Sequence, residues 1–351
     1  MRITQTGVTL HDKKRATPGY TVFANVRGPK TYMIDMDGNV VHEWALKSGG
    51  GIGLSQLLPG GNLLVLEKSE DASPTAQGAA GYAREYDWGG NLVWEYHDAV
   101  MHHDFRRLAN GNSVYLRWEE MDPDKAARVR GGLPGTEYEG GMIYSEVIRE
   151  IDPSGKTVWE WHLQDQDFEK YAICGVCKRH EFGHANTICP LPNGDYIINY
   201  RVFNMFMVID RQTGRIKSEY GDIEWGHEHD VQMLPNGNFM LYANGYHSPK
   251  ISISRVIEFN PNTMETVWEY RGNPALTFYS PHISGCQRLA SGNTLICEGG
   301  PGCIFEVTPE KEIVWEYVCP YTTLSPELGN VNSVFRAYRY DADSPQLKGR
   351  F

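Results

Sequence analysis

The chain has 351 residues, of which 41% are hydrophobic and 12% aromatic, and a formal net charge of −11. This composition supports a packed core and argues against extended disorder. Because the net charge is negative and no block of Lys or Arg occurs, nucleic acid is excluded as a partner. No apolar run of membrane-spanning length follows Met1 or occurs later. We therefore expect no membrane partner and a soluble cytoplasmic protein, or a periplasmic one if a signal peptide has been removed.

Residues 1–19 show no hydrophobic period and are interpreted as a surface lead-in. From Tyr20 to about residue 340, two short patterns then alternate. The first is a β-hairpin turn, clearest at Pro235-Asn236-Gly237-Asn238, where Asn-Gly can supply the positive φ angles of a tight two-residue turn. Similar turns occur at 59–62, 109–112, 192–195 and 290–293. The second pattern is Asp-x-x-Gly-x-x-Val-Trp-Glu followed by an aromatic residue, as in Asp87 to Tyr96.

A hairpin followed by a Trp-Glu unit gives four strands in about 40–50 residues, the period of a propeller blade. Such units occupy residues 52–98, 99–163, 181–221, 226–272 and 280–319. A Trp-Glu unit at 20–46 and an apolar strand at 332–340 are left over, and pairing them would remove exposed edge strands. The sequence therefore predicts an all-β fold. It is a single six-bladed β-propeller over residues 20–340, with its last blade closed by N- and C-terminal strands and a tail at 341–351.

Two insertions interrupt this pattern, at about 119–143 and 164–182. Long loops in a compact fold are commonly functional lids, and we expect both insertions to cover or narrow one mouth of the channel. The second insertion contains Cys174 and Cys177, with His180 and His184 nearby, which could hold a structural zinc ion or form a disulfide. The chain has seven cysteines, and this odd number favours free thiols.

Histidines recur where the first strands of successive blades begin, and those strands line the channel of a propeller. One repeat-equivalent position is assigned to His103, His184, His229 and His282, with Asn332 in the closing blade. One imidazole there could simply tie strand ends together, whereas four converging imidazoles favour a functional site. Imidazole can act as a nucleophile, an acid or base, or a metal ligand. Arg201 and Arg336 could bind an anionic substrate, or could be solvated surface arginines.

The ordered polar segments at the blade entrances resemble those of the bacterial arylsulfate sulfotransferases. The segments are His102-His103-Asp104, His184-Ala185-Asn186-Thr187 followed by Arg201, His229-Asp230-Val231-Gln232, Ser280-Pro281 with Gly285, and Ser333 to Tyr338. The resemblance spans essentially every blade. It implies a six-bladed propeller enzyme that moves a sulfuryl group between phenols without a nucleotide donor, and we predict no cofactor.

The resemblance also implies roles for individual residues. His229 corresponds to the family's nucleophile, which forms a transient sulfohistidine in a ping-pong reaction. His103 and His184 correspond to histidines that bind the sulfuryl oxygens and assist proton transfer. Asn186 and Arg201 correspond to further ligands of those oxygens.

Three more residues, His282, Asn332 and Arg336, are predicted to bind substrate. The expected partners are a small aromatic sulfate and a phenol, or another small anionic substrate. Familiar members of the family carry an export signal and an N-terminal β-domain, and we expect neither in this sequence. It also carries His282 where a smaller polar residue is usual, and the 164–182 insertion is unfamiliar.

Three alternatives remain open at this stage. In a metal enzyme, a divalent ion such as iron, copper or manganese would be held by His103, His184, His229 and His282. In a polysaccharide lyase or a hydrolase acting on an acidic sugar, a histidine would be the base, and Arg201 or Arg336 would bind the carboxylate. A propeller can also be a binding scaffold without enzymatic activity, although a scaffold needs no ring of histidines.

Overall fold

The repeated turns join the strands of six antiparallel sheets in the computed structural model, which describes residues 5–74 and 76–351. The first ten strands, β1 to β10, are Gly7–His11, Tyr20–Asn25, Lys30–Ile34, Val40–Ala45, Gly51–Leu57, Leu63–Lys68, Gly81–Tyr86, Leu92–His97, Met101–Arg107 and Ser113–Glu120. The next ten, β11 to β20, are Arg130–Leu133, Tyr144–Ile151, Thr157–His162, Ala172–Lys178, Ala185–Pro190, Tyr196–Tyr200, Met205–Ile209, Ile216–Gly221, His229–Met233 and Phe239–Ala243. The remainder, β21 to β29, are Arg255–Phe259, Thr266–Arg271, Gly285–Arg288, Thr294–Glu298, Cys303–Val307, Ile313–Val318, Thr323–Ser325, Gly329–Val331 and Val334–Tyr340.

Helix is scarce among the described residues. One short α-helix, α1, spans Pro123–Ala126. Single 3-10 turns occupy Glu139–Gly141, Leu163–Asp165, Phe168–Lys170, Arg201–Phe203 and Ala275–Thr277. None of these helices has the length and apolar character needed to cross a membrane.

Six large sheets each contain the four strands of a blade. Five of the orders are β5-β6-β7-β8, β13-β12-β10-β9, β15-β16-β17-β18, β19-β20-β21-β22 and β1-β26-β25-β24-β23. In the second of these β11 intervenes in the sequence, and in the last β1 is a fifth strand. The sixth order is β29-β2-β3-β4, in which the C-terminal strand pairs with the N-terminal ones. These sheets establish the predicted all-β, six-bladed β-propeller, and the predicted closing blade of N- and C-terminal strands is confirmed.

The chain divides into two compact units. The first comprises the residues up to 72 together with 80–99 and 268–351, and the second comprises 73–79 and 100–267. In the second unit, the sheet of β15 to β18 contributes to two apolar clusters: Ile198 packs in one with Ile148, and Phe206 packs in the other with Leu241. Burial of such side chains is the main favourable term that holds each unit together.

The position of a strand within its sheet decides its pattern of burial. The inner strands β6 and β10 are buried almost throughout, because both of their faces are covered. The outer strands β8 and β18 instead alternate between half-buried and exposed residues, the period-two pattern of a strand with one solvated face.

The hairpin turns are longer than the two-residue turns predicted. The Leu234 N–H donates to the Asn238 carbonyl at 2.8 Å, and the Gly237 N–H donates to the Leu234 carbonyl at 2.8 Å. Gly237 has φ 83°, whereas Asn236 is not among the residues with positive φ. Proline fixes φ near −65°, so Pro235 fits the first position of a type I turn followed by a left-handed glycine. The loop therefore contains three residues.

In four of the described sheets, a tryptophan at the Trp position of the Trp-Glu unit, or two residues after it, bonds to a turn of the neighbouring sheet. In the second unit, Trp161 Nε1 donates to the Gly214 carbonyl at 2.9 Å. In the first unit the same type of bond recurs, from Trp44 to Asp87 at 3.0 Å, from Trp268 to Pro309 at 2.9 Å and from Trp315 to Met36 at 2.8 Å. The acceptor lies in each case at the Asp-x-x-Gly turn or its equivalent, so the two halves of the repeated pattern complement each other.

The segments predicted to lie outside the propeller strands are ordered against it. Within the 1–19 lead-in, β1 pairs with β26 as a fifth strand of that sheet, and residues 1–4 lie outside the described residues. In the 341–351 tail, Leu347 is fully buried and Phe351 stacks on Tyr20 with ring centroids 4.1 Å apart. The two insertions pair with each other through a parallel bridge between β11 and β14.

Candidate active site

Three of the predicted histidines lie on successive sheets of the second unit. His103 is in β9, His184 immediately precedes β15, and His229 opens β19; all three side chains are buried. The ring centroids of His103 and His184 lie 4.7 Å apart in an edge-to-face contact. The charges of His184, His229 and Arg201 all act on His103, so these four residues form one electrostatic cluster.

The histidines do not share a single repeat position, and that part of the prediction is wrong. Measured back from the hairpin turn, His103 and His229 occupy the same position, whose counterpart in the intervening sheet is Asn186. His184 and His282 occupy a different and earlier position. Both positions lie near the strand entrance, but they differ in their distance from the hairpin turn. Two positions of the repeat therefore supply imidazoles.

Irregular backbone directs these side chains. His103 and His184 have φ of 52° and 49°, and Asp230, which follows His229, has φ 54°. The ladder between β9 and β10 shifts register at this point, as does the ladder between β19 and β20 after His229. A bulge re-aims a side chain, and a non-glycine residue with positive φ costs about 1–3 kcal/mol that the surroundings must offset.

His229 is held by two oxygen acceptors on one edge of its ring. Its Nδ1 lies 2.8 Å from Asn244 Oδ1 and 3.0 Å from the backbone carbonyl oxygen of His227. Because a carbonyl can only accept, Nδ1 carries the hydrogen and the lone pair of the neutral ring lies on Nε2. A neutral imidazole with this tautomer presents a nucleophilic nitrogen on the edge opposite Asn244.

Asn186 supports the backbone that precedes His229. Its Nδ2 donates to the Glu228 carbonyl at 2.8 Å, and Asn199 Nδ2 donates to the same carbonyl at 2.6 Å. Asn186 Oδ1 accepts hydrogen bonds from Thr187 Oγ1 and from Asn199, both at 2.9 Å. The side chain that sequence analysis assigned to substrate thus fixes the strand that carries the nucleophile candidate.

His103 ends a chain of buried polar groups that sequence analysis did not identify. Its Nδ1 lies 2.8 Å from Nδ1 of His102, whose Nε2 lies 2.9 Å from a carboxylate oxygen of Glu146. The His102 ring also stacks on Trp118, with centroids 4.0 Å apart. Burial lowers the pKa of His103 well below its ordinary value, and His184 and the other nearby cationic groups lower it further, so the ring is neutral near pH 7.

The position of the ring hydrogen of His103 depends on which ring donates in the 2.8 Å contact between the two Nδ1 atoms. When His103 donates, its Nε2 atom carries the lone pair. The contact of His102 Nε2 with Glu146 is an ion-pair distance without hydrogen-bond geometry. Gly78 lies against the Nε2 edge of the His103 ring, because a Cβ at Gly78 would be 2.2 Å from Nε2.

His184 is paired with a carboxylate instead. Its Nδ1 lies 2.7 Å from Glu181 Oε2, and the other oxygen of Glu181 lies 3.1 Å from His180 Nε2. Burial raises the pKa of Glu181, but the charges and hydrogen bonds of His184 and His180 outweigh burial and leave the pKa well below its usual range. Glu181 is therefore ionised, orients the His184 ring, and compensates the charge of that ring when it carries a second proton.

The guanidinium of Arg201 is a cation that forms no direct ion pair with a described carboxylate. Its backbone N–H donates to the His184 carbonyl at 3.2 Å, which sets the residue beside the histidines. Its guanidinium lies over the Tyr246 ring at 6.0 Å. No hydrogen bond or ion pair joins the guanidinium to another side chain in the described part of the chain. Burial lowers its pKa, although Cys177 and Glu181 oppose that shift. A half-buried, uncommitted guanidinium is suited to a tetrahedral oxyanion.

A buried carboxyl group lies between two of the functional residues in sequence. Glu228 is fully buried, and burial raises its pKa to about 8. Neither of its carboxyl oxygens has a hydrogen-bond partner among the described residues. Neutralisation of this group removes one nearby negative charge, so Glu181 is the ionised carboxylate that acts on the guanidinium of Arg201.

The other predicted substrate-binding residues belong to the first unit. His282 is half-buried ahead of β23, and its carbonyl accepts from Ser280 Oγ at 2.8 Å. Asn332 Nδ2 donates to the Cys319 carbonyl at 3.2 Å. Arg336 lies in β29, is 1% exposed and packs over Phe335, so it is not a solvated surface arginine.

The Cys-x-x-Cys motif lies beside histidines other than those predicted. Ligand atoms of Cys174, Cys177, His227 and His247 all lie within 4.8 Å of one another. His180 and His184 instead contact Glu181. Across residues 5–74 and 76–351, this is the cluster with the arrangement of a metal site, and it contains none of the four channel histidines.

The fold and the site together define a β-propeller with buried imidazoles and a guanidinium where its strands begin. Residues 100–319 match the family described as arylsulfotransferase (ASST). That match covers more than half of the chain, so the chain belongs to the arylsulfotransferase family. Membership indicates a transferase that acts in sulfuryl transfer on small aromatic substrates.

Two solved structures share the fold at low sequence identity. A protein of unknown function from Bacteroides caccae has 14% identity and a TM-score of 0.57, covering 92% of this chain and 100% of its own. A protein from Lactobacillus plantarum has 9% identity and a TM-score of 0.51, covering 93% of this chain and 100% of its own. No curated protein sequence matches the chain significantly. At such identities the similarity concerns the fold alone.

Proposed function

We propose that this protein transfers a sulfuryl group from an aryl sulfate to a phenol through a sulfohistidine formed at Nε2 of His229. The observation that carries the proposal is the pair of oxygen acceptors at Nδ1 of His229, which leaves the lone pair on Nε2. The ring is buried, and a lone pair on Nε2 is the nucleophile that the reaction needs. No cofactor enters this scheme.

In the first half-reaction, Nε2 of His229 attacks the sulfur atom as the sulfur–oxygen bond to the aryl group breaks. The departing aryloxide takes a proton from His184, whose ring is oriented by Glu181. The guanidinium of Arg201 binds the sulfuryl oxygens, which carry the negative charge throughout. Asn186 acts by positioning, because it holds the Glu228 carbonyl next to the nucleophile.

In the second half-reaction, the acceptor phenol gives its proton to His103, whose neutral ring has its lone pair on Nε2. The phenol oxygen attacks sulfur, the sulfur–nitrogen bond breaks, and its electron pair returns to His229. The proton then passes from His103 back to His184, whose ring centroid lies 4.7 Å away. Protons and charges balance over the cycle, and the kinetics are ping-pong.

Incubation with 4-nitrophenyl sulfate, without and then with phenol, tests the proposal. Wild-type protein is expected to release nitrophenol in a burst equal to the enzyme concentration and then to turn over when phenol is added. Mass spectrometry is expected to find the sulfuryl adduct on the peptide containing His229. His229→Gln should abolish the burst, whereas His97→Gln, at an exposed histidine, should leave it intact.

Separate measurement of the two half-reactions distinguishes the other histidines. His184→Gln is expected to slow the burst, and His103→Gln to slow the phenol-dependent step while the burst persists. Sulfuryl transfer by His229→Gln at the wild-type rate, or an adduct on another residue, would contradict the proposal.

A further inference from the structure

Four potential metal ligands from three parts of the second unit meet beside the candidate active site. Cys174 and Cys177 belong to β14 in the 164–182 insertion. His227 lies two positions before His229, and His247 follows β20. Both cysteines are free thiols and half-buried, His227 is fully buried, and His247 is half-buried. None of the four side chains takes part in the proposed reaction.

The distances within this cluster match those between ligands of one tetrahedral ion. Sγ of Cys174 lies 3.6 Å from Nδ1 of His247, and Sγ of Cys177 lies 3.6 Å from both Nδ1 of His247 and Nε2 of His227. In a tetrahedral zinc site with bonds of 2.3 Å to sulfur and 2.0–2.1 Å to nitrogen, sulfur and nitrogen are about 3.6 Å apart. We propose that Cys174, Cys177, His227 and His247 bind one Zn²⁺ ion.

The chemistry of the donors favours zinc over other ions. Two thiolates and two imidazoles form a Cys2His2 set, which is typical of structural zinc. Four protein ligands complete the tetrahedron, so no position remains for water or substrate. The site is therefore structural rather than catalytic, and it is separate from the metal site considered for the channel histidines.

The backbone around the two histidines is fixed in the geometry that the site requires. The His227 N–H donates to Asn204 Oδ1 at 2.8 Å, and His227 and His247 have φ of 64° and 61°. The segments carrying them are bonded side by side, with the Tyr246 N–H donating to the Gly226 carbonyl at 3.0 Å. A Cβ at Gly226 would lie 2.5 Å from the Gly245 carbonyl carbon, so only glycine allows this approach.

The ion would join the insertion to the residue that orients the nucleophile candidate. β14 pairs with β11, so the two cysteines anchor both insertions. On the other side of the site, the His227 carbonyl accepts the hydrogen from His229 Nδ1. A bound ion would therefore fix the insertion and this carbonyl together, and the proposal stands whether or not His229 transfers a sulfuryl group.

Metal analysis of the purified full-length chain, prepared without chelator or affinity-column metal, tests the proposal. About one zinc ion per chain is expected. Cys174→Ser, Cys177→Ser and His247→Gln should each weaken zinc retention in competition with a chelator by about 100-fold or more. Cys189→Ser and His180→Gln are matched controls outside the cluster and should retain the ion.

Two measurements on wild-type protein test the proposal even if the variants fail to fold. Replacement of zinc by Co²⁺ should give the intense visible bands of a tetrahedral thiolate complex. Alkylation should reach Cys174 and Cys177 only after chelation, while the reactivity of Cys189 stays constant. A chain that neither contains nor takes up zinc, a disulfide between Cys174 and Cys177, or unchanged retention in both cysteine variants would overturn the proposal.

Discussion

The backbone carbonyl oxygen of His227 lies 3.0 Å from Nδ1 of His229. One residue thus offers its carbonyl to the nucleophile candidate and its side chain to the cluster of Cys174 and Cys177. The orientation of His229 therefore depends on backbone geometry as well as on Asn244.

Replacing Asn244 should impair the nucleophile without removing it. Asn244→Ala deletes one of two acceptors for the Nδ1 hydrogen, and loss of a hydrogen bond of this kind should slow adduct formation about 10-fold. Asn244→Asp keeps an acceptor oxygen and should remain closer to wild type. Burst kinetics with 4-nitrophenyl sulfate measure both. Equal rates for Asn244→Ala and wild type would show that the His227 carbonyl alone suffices.

Removing the charge of Glu181 should lower the reaction rate most for aryl sulfates with poor leaving groups. In Glu181→Gln, His184 loses the carboxylate that orients its ring. General acid catalysis contributes about 10²–10⁴-fold in rate, and the variant should lose part of that contribution. Phenyl sulfate needs a proton at its departing oxygen, whereas 4-nitrophenyl sulfate leaves more readily as the anion. We expect a much larger loss of kcat with phenyl sulfate. The control is Glu169→Gln, which removes an exposed carboxylate from the same insertion.

The guanidinium of Arg201 should contribute mainly to binding of the sulfate group. Arg201→Met is expected to lower kcat/KM by about 10–100-fold, the value of one or two charged hydrogen bonds. Arg201→Lys restores the charge but not the two-pronged geometry and should recover only part of the loss. Inhibition by inorganic sulfate should weaken in parallel. If Arg201→Met still binds sulfate normally, the guanidinium does not face the substrate.

Stability should fall in mild acid because His103 is buried in its neutral form. Its pKa in the folded state lies well below its ordinary value of 6.5, since burial excludes the charged ring and His102, His184, His229 and Arg201 repel it. Below pH 6.5 the unfolded chain binds more protons at this residue, so its contribution is complete above that pH and is lost as pH falls.

Denaturant unfolding at a series of pH values from neutral down to mild acid measures this dependence. His103→Gln should reduce the slope of unfolding free energy against pH, by at most about 1.4 kcal/mol per pH unit. The slope is the readout, because it does not depend on any change in stability that the substitution causes equally at every pH. An unchanged slope would show that His103 is accessible to protons in the folded state.

Replacing Gly78 by alanine should show whether His103 needs the space beside its ring. An alanine Cβ would meet the imidazole at 2.2 Å from Nε2, so Gly78→Ala should displace the ring and slow the phenol-dependent step. Gly237→Ala is a matched control, because Gly237 has a similar φ, 83° against 87°, and no atom within 4 Å of the added carbon. Both variants carry backbone strain, and only Gly78→Ala should lose activity beyond the effect of that strain.

The sequence predicted the sheets well because their determinants are local. Turn residues such as Gly237 and the Trp-Glu pattern mark each strand within a short window. The partners of the imidazoles were missed because their determinants are distant in sequence: Glu146 lies in the third strand of its sheet, and His247 in a loop far from Cys174. A polar residue inside an apolar strand, such as Glu146 in β12, is the signal that could have identified one of them.

The indole bond between neighbouring sheets has a consequence for how such chains arise. The unit at 35–44 encodes both a donor and an acceptor, because Trp44 donates to Asp87 and the Met36 carbonyl accepts from Trp315. Duplicating such a unit in a gene would therefore supply a new donor and a new acceptor together. The unit at 210–220 has the acceptor Gly214 but no tryptophan, so a boundary between sheets can also form when only one of its two units carries an indole.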